Sequence, residues 1–298
     1  MHNQLGHCGF VTITGRPNVG KSTLLNHIIG QKLSITSRKP QTTRTRISGI
    51  KNDNDSQIIF VDTPGLQKKP GSVFNRYMNR QVLNALSHID VVIHVIEALK
   101  WNEADENVLN HIKKFQNTKL LVINKIDLIR DKSELLPFIS TMNRSSDYSE
   151  VIPVSAKTGQ NLKLLEEQIK KYLSPGQPLY PGDQITDRSE RFFAAEFIRE
   201  KLTRNLGDEI PYNLAVVIDK YAEEKNLIRI AATIWVASDG QKKIVVGKNG
   251  DVLKKAGEQA RRDMEKMFGK KVFLQTWVKV KNKWTSNLNT LKELGFTS

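Results

Sequence analysis

The chain of 298 residues is long enough for two domains that each bury a core. Its proportions, 39% hydrophobic and 26% charged, are those of an ordinary globular protein, but a net charge of +15 points to a polyanionic partner. One cysteine, Cys8, excludes an intramolecular disulfide and favours a reducing, cytosolic compartment. The first seven residues are too short and polar for a signal peptide, and no apolar run approaches the ~18 residues that a membrane span needs.

In the first half, short apolar runs alternate with amphipathic stretches. This is the pattern of an α/β domain, a mostly parallel sheet with helices on both faces. The first predicted strand is Gly9 to Thr14. It leads into Gly15-Arg16-Pro17-Asn18-Val19-Gly20-Lys21-Ser22, which matches a P-loop, with Thr23 opening the helical stretch that follows. Glycines there let backbone N–H groups converge on phosphates at the positive end of a helix. Lys21 reaches the β- and γ-phosphates, and the Ser22 hydroxyl is a ligand for Mg²⁺.

Next come Pro40-Gln41-Thr42-Thr43-Arg44-Thr45-Arg46, polar and without core periodicity, which fit a switch loop ordered by the γ-phosphate. Thr43 is the expected second hydroxyl ligand to Mg²⁺, with Thr42 its rival. The predicted strand Gln57 to Asp62 ends in Asp62-Thr63-Pro64-Gly65. A carboxylate at that strand end suits the metal, and Gly65 offers an N–H to the γ-phosphate.

Further strands are predicted at Asp90 to Ile96, Leu120 to Asn124 and Val151 to Val154. Asn124-Lys125-Ile126-Asp127 ends the second of these. Guanine presents N1–H and N2–H₂ donors that one carboxylate accepts together, a pattern adenine lacks, so Asp127 selects guanine. Asn124 would steady the loop and the Lys125 stem pack over the ring. Ser155-Ala156-Lys157 fits the loop that gives a backbone N–H to guanine O6. GTP and GDP are the expected ligands, and the candidate catalytic groups are Lys21, Thr43 and Gly65.

Leu162, Leu165, Ile169 and Leu173 have helical spacing and close a first domain over 1–173. Residues 174–182 hold three prolines and two glycines, so a linker is placed over 174–189. A smaller α+β domain follows over 190–298, with a C-terminal extension. Its predicted order is helix (Phe193 to Leu206, stopped by Gly207), strand (Leu214 to Ile218), strand (Ile228 to Val236), turn, helix (Val252 to Met267) and strand (Val272 to Val280).

The turn, Gly247-Lys248-Asn249-Gly250, is a Gly-x-x-Gly loop before a helix, as in KH domains. From Lys242 to Lys283 there are 13 Lys or Arg against 4 Asp or Glu. Lys242, Lys243, Lys248, Lys254 and Lys255 would contact phosphates. Bases would lie in an adjacent groove built from the apolar strands, with Trp235, Trp277 and Trp284 as candidates for stacking or for core packing.

Taken together, the P-loop, Gln41-Thr42-Thr43-Arg44, Asp62-Thr63-Pro64-Gly65-Leu66, Asn124 to Asp127 and Ser155 to Lys157 ahead of a KH-like domain resemble the Era-type GTPases. Asp187 to Phe192, Ile198 to Leu202 and Ile210-Pro211-Tyr212 extend the resemblance over nearly the whole chain. Val246 stands where that family usually has isoleucine.

The resemblance implies a GTP-hydrolysing switch that assists assembly of the 30S subunit and binds small-subunit ribosomal RNA near its 3′ end. It further implies a cytoplasmic protein with some contact at the inner membrane; a monomer is expected. The alternative is a GTP-gated adaptor whose basic domain docks on membrane or protein. In Ras-type enzymes a glutamine after the Asp-x-x-Gly motif orients the water; here Leu66 holds that place and Gln67 is one residue late. Asn18 resembles the asparagine by which some related GTPases hold K⁺ where others use an arginine finger; Arg44 and Arg46 are alternative fingers.

Overall fold

The computed structural model describes residues 6–34, 47–62, 89–145, 148–206 and 214–282. Thr42, Thr43, Arg44, Arg46, Thr63, Pro64, Gly65, Leu66, Gln67, Gly207 and Trp284 lie outside them. The chain divides into two compact units between Asp187 and Arg188.

In the first unit, β1 (His7–Thr14), β2 (Ile47–Asp53), β3 (Ser56–Asp62), β4 (Val91–Glu97), β5 (Thr118–Asn124) and β6 (Glu150–Pro153) form one sheet. Its order is β2-β3-β1-β4-β5-β6, and among these strands only β2 runs antiparallel. Both faces carry helices. On one, α1 (Lys21–Ile29) and α4 (Leu162–Lys171) bring Leu24, Leu25, Leu165 and Ile169 against Ile13, Val95 and Val122. On the other, α2 (Glu103–Ile112) adds Leu109 and Ile112 beside Val92, and α3 (Leu135–Ser145) adds Met142 beside Ile96 and Leu121. Each such aliphatic side chain contributes about 1.5–3 kcal/mol by leaving water. Burial on both faces explains why β4 lacks polar alternation.

Two features of this unit depart from the sequence pattern. Strand β2 is absent from the predicted elements because Gly49, Asn52 and Asp53 give it low strand propensity; pairing along β3 overrides that preference. The Pro/Gly-rich segment, placed in a linker, packs against this same unit. Ile50 N–H donates to Ile185 O at 2.9 Å, and Gly49 bridges Thr186. Ser48 Oγ donates to Asp187 Oδ2 at 3.0 Å, and the Gln57 amide bonds to Leu179 and Tyr180 main chain. The segment covers the edge of β2, which would otherwise offer unpaired backbone groups.

The second unit consists of α5 (Glu190–Asn205), β7 (Ala215–Glu223), β8 (Leu227–Val236), α6 (Asp239–Val246), α7 (Asp251–Phe268) and β9 (Lys271–Val280). The sheet order is β7-β8-β9, with β7 antiparallel and β9 parallel to β8. Buried Ile228, Ile230, Ala232 and Ile234 form the core with Phe193 and Phe197 of α5 and Ala256, Ala260 and Met264 of α7. Helix α6 is an addition to the predicted order. Its Gly240 and the run Ile244-Val245-Val246 are poor helix formers, and only Val245 is buried. Capping by Ser238, whose side chain accepts from Gln241 N–H, sets its start. No described helix is long and apolar enough to cross a membrane.

Candidate functional site

The loop between β1 and α1 is shaped by backbone conformation. Asn18 and Gly20 both have positive φ, and Gly20 hands directly into α1 without a side-chain cap. The first N–H groups of α1 are therefore available to an anion. Lys21 Nζ donates to the carbonyls of Gly15 and Arg16, each at 2.8 Å, which holds the ammonium within the loop's curve. Val19 is wholly buried, so its side chain is core and only its backbone lines the loop. Pro17, Asn18 and Thr23 are exposed, and Ser22 is half-buried. Asp62, the last residue of β3, is in register with Ile13, two residues before Gly15.

Strand β5 delivers the second motif. Asn124 is 2% exposed and acts as a clamp. Its Nδ2 donates to Val19 O at 2.7 Å, and its Oδ1 accepts the Ala156 N–H at 2.9 Å. One side chain thus ties together the P-loop, the β5 end and the loop after β6. Lys125 takes a left-handed conformation, which turns the chain into the short helical turn Ile126–Leu128. Ile126 is buried in the core, so its part is structural. Asp127 Oδ1 accepts from Ser155 Oγ at 2.6 Å, and Ser155 Oγ in turn accepts from Thr158 N–H. The Ser155 hydroxyl therefore orients the Asp127 carboxylate. His27 of α1 donates from Nδ1 to Ala156 O at 3.0 Å, a further tether that sequence spacing does not reveal. Lys157 is exposed beside it.

Behind the site, β4 carries His94, fully buried with its Nδ1 bonded to the Tyr148 hydroxyl and its ring edge-on to Trp101. Burial, aided by the charge of Lys21, pushes its pKa down to about 3, so the ring is neutral.

In the second unit, Gly247 stands at φ 76, and a Cβ there would meet Val252 Cγ2 at 2.5 Å. Asn249 and Gly250 also have positive φ, so the loop curls tightly into the N-terminus of α7. Lys242, Lys243, Lys248, Asn249, Lys254 and Lys255 are exposed around it. A groove of about 320 Å³ runs beside the loop, lined by Gly250, Leu253, Gly257, Arg261, Leu274 and Thr276 among others. The groove lies between α7 and β9, the last of the predicted strands. Trp277 is 47% exposed, but strand alternation turns it to the sheet face opposite Leu274 and Thr276. Trp235, opposite Lys279 in the register, has Lys279 and Lys281 over its ring. Neither ring can stack on a base in that groove.

Fold and site define a P-loop GTPase domain followed by a KH domain. Residues 10–125 match the family described as 50S ribosome-binding GTPase, and residues 209–285 match the KH domain. The chain is 52% identical to GTPase Era of Coxiella burnetii, over 97% of this chain and 98% of that one. It is 49% identical to GTPase Era of Marinobacter nauticus, over 99% and 97%.

Two solved structures superpose with a TM-score of 0.93 at 38% identity, each covering 98% of this chain and 100% of the other. One is a tyrosine-to-alanine variant of Aquifex aeolicus Era bound to GDP·AlF4⁻. The other is Era in complex with MgGDPNP and nucleotides 1506–1542 of 16S ribosomal RNA. The chain belongs to the GTPase Era family, and it is a GTPase.

Proposed function

We propose that this GTPase is a nucleotide-gated switch that binds small-subunit ribosomal RNA near its 3′ end through the KH loop and assists 30S assembly. The observation that carries the nucleotide half is the Asn124 clamp beside Asp127, whose carboxylate Ser155 holds in place and which would accept the two donors of guanine. The RNA half rests on the Gly247–Gly250 loop, the lysines around it and the likeness to an Era bound to such RNA. These features favour RNA over a membrane or protein as the ligand of the second unit.

The donor set fits Mg²⁺. The Ser22 hydroxyl at the start of α1, the carboxylate of Asp62 and a hydroxyl of Thr43 are all oxygen ligands, as a hard cation requires. When bound, Mg²⁺ neutralises charge on the β- and γ-phosphates. Backbone N–H groups of Asn18, Val19 and Gly20 cradle the phosphates, and Lys21 exchanges its loop carbonyls for phosphate oxygens. Water attacks the γ-phosphorus in line, the bond to the bridging oxygen breaks, and GDP and phosphate leave.

Leu66 has no group to orient that water, so intrinsic turnover is slow and relies on the Gly65 backbone or a partner. A K⁺ near Asn18 is the candidate for a cation in the arginine-finger role. Cytoplasmic location, a monomeric state and peripheral contact with anionic lipid at the inner membrane follow from the same reading. The +15 charge supports the lipid contact.

Sequencing of RNA crosslinked to the protein, with GTP and with GDP, tests the assignment. Enrichment of the 3′ end of the small-subunit RNA that depends on nucleotide state is expected. Uniform, nucleotide-independent coverage of RNA would refute it, as would equal hydrolysis of ATP and GTP.

A further inference from the structure

Between the phosphate end and the base end of the nucleotide site runs a chain of ion pairs that the motifs do not contain. Glu97, the last residue of β4, is in register with Asn124. Its Oε2 accepts from Lys125 Nζ at 2.6 Å and lies 3.9 Å from Arg16 Nη2, while Lys100 closes on Oε1. Arg16 Nε then donates to Asp105 Oδ2 at 3.0 Å. Lys125, Glu97, Arg16 and Asp105 thus form one continuous path.

Asp105 is the unusual member. It serves in the capping box of α2, where its Oδ2 also accepts the Asn102 N–H at 3.2 Å. The N3 place of a capping box needs only a side-chain oxygen that reaches back to the N-cap N–H, a part commonly played by a solvated Glu or Gln. This carboxylate is instead fully buried, and its Oδ1 has no hydrogen-bond partner among the described residues. A buried charge is costly unless paired, so its placement is explained by Arg16 rather than by the cap. Burial works to raise its pKa, and the Arg16 guanidinium opposes that rise. At Glu97 burial also opposes ionisation, but the bonds from Lys100 and Lys125 outweigh it and hold the carboxyl below its usual range.

The path ends on working parts of the site. The Arg16 carbonyl is one of the two that accept from Lys21 Nζ, so fixing the Arg16 side chain fixes the peptide that holds the phosphate-binding lysine. At the other end Lys125 sits in a left-handed backbone conformation between Asn124 and Asp127. We propose that Glu97 and Asp105 are positioning residues: acting through Arg16 and Lys125, they hold the phosphate loop and the base loop in one frame. Guanine and phosphate contacts are then made together.

This rests on the guanine-nucleotide assignment, and the experiment separates the two. The full chain and its Glu97→Gln, Asp105→Asn and double variants are assayed for release of a fluorescent GDP analogue, for GTP hydrolysis and for thermal unfolding. Each single variant is expected to release GDP about tenfold faster and to raise KM for GTP by a similar factor. Its kcat should stay within about twofold, because the frame serves ground and transition states alike.

The double variant should lose less than the product of the singles, since both act through Arg16. Arg16→Lys should keep more affinity than Arg16→Ala. Wild-type release and KM in the single variants, even with a lowered melting temperature, would make the pairs merely structural and overturn the proposal. Independent multiplication in the double variant would overturn the shared path. If Asp105→Asn does not fold, Glu97→Gln decides alone. A parent chain that binds no GDP would sink the nucleotide assignment itself, and the proposal with it.

Discussion

Gly20 and Asn124 approach so closely that a Cβ on the glycine would stand 2.3 Å from the asparagine Nδ2. The contact places a P-loop backbone against the side chain that also bonds Val19 and Ala156. Gly20→Ala would have to expel that amide and strain a φ of 100. Asn124→Ala would remove both bonds in a buried setting. Each should destabilise the first unit by about 1–3 kcal/mol and weaken GDP binding further. Melting curves with and without GDP measure both effects; a Gly20→Ala chain with wild-type affinity would contradict the close approach.

Base selection should be transferable. In Asp127→Asn the amide accepts one hydrogen bond and donates one, which fits xanthine, whose C2 carries a carbonyl, better than guanine. GTP affinity should fall by about 1.5–3 kcal/mol, the worth of a charged hydrogen bond, while xanthosine triphosphate gains. Competition titration decides. Retained GTP preference would mean that another group reads the base.

Stability should depend on pH through His94. The unfolded chain takes up a proton below the ordinary histidine pKa of 6.5, whereas the folded ring stays neutral down to about 3. The folded state therefore binds fewer protons in that window. Stability is complete above it and declines as pH falls from 6.5 toward 3, by at most about 1.4 kcal/mol per pH unit. His111, also pushed down by burial, adds to the trend. His94→Phe should flatten the decline. Urea midpoints at about pH 7.5 and about pH 5 report it, and parallel behaviour of parent and variant would rule out the neutral buried ring.

The two glycines of the KH loop should respond differently. At Gly247 a Cβ would strike Val252, whereas at Gly250 nothing lies within 4 Å. Gly247→Ala is expected to destabilise the second unit by about 1–3 kcal/mol, through strain at positive φ and the clash. Gly250→Asn keeps a residue type that tolerates this φ, so stability should change by less than about 0.5 kcal/mol. Its side chain would still fill the space over the groove and weaken single-stranded RNA binding. Fluorescence anisotropy with a 3′-end RNA fragment at two salt concentrations tests this. Unchanged affinity in Gly250→Asn would show that RNA does not approach that backbone.

Much of the nucleotide site is legible in the residues alone, because its parts are local. A P-loop lies between one strand and one helix, and Asn124 to Asp127 is a strand end plus one turn. Long-range partners leave no such trace. Arg16 and Asp105 are 89 residues apart, and His27 and Ala156 are 129 apart. Asp105 reads as an ordinary acidic residue in the first turn of a helix until its burial is known.

The same reason separates the two kinds of knowledge about the fold. Apolar runs and periodicity are properties of neighbouring residues, and they suffice for the buried parallel strands and for helices α4, α5 and α7. Strand β2 has no strong propensity and exists because β3 supplies its hydrogen bonds on one side and residues 185–187 cover the other. The Pro/Gly-rich segment has the composition of a linker, yet backbone groups seeking partners lay it along a sheet edge. The groove beside the KH loop is likewise set by which face of β9 meets α7, a choice made by packing.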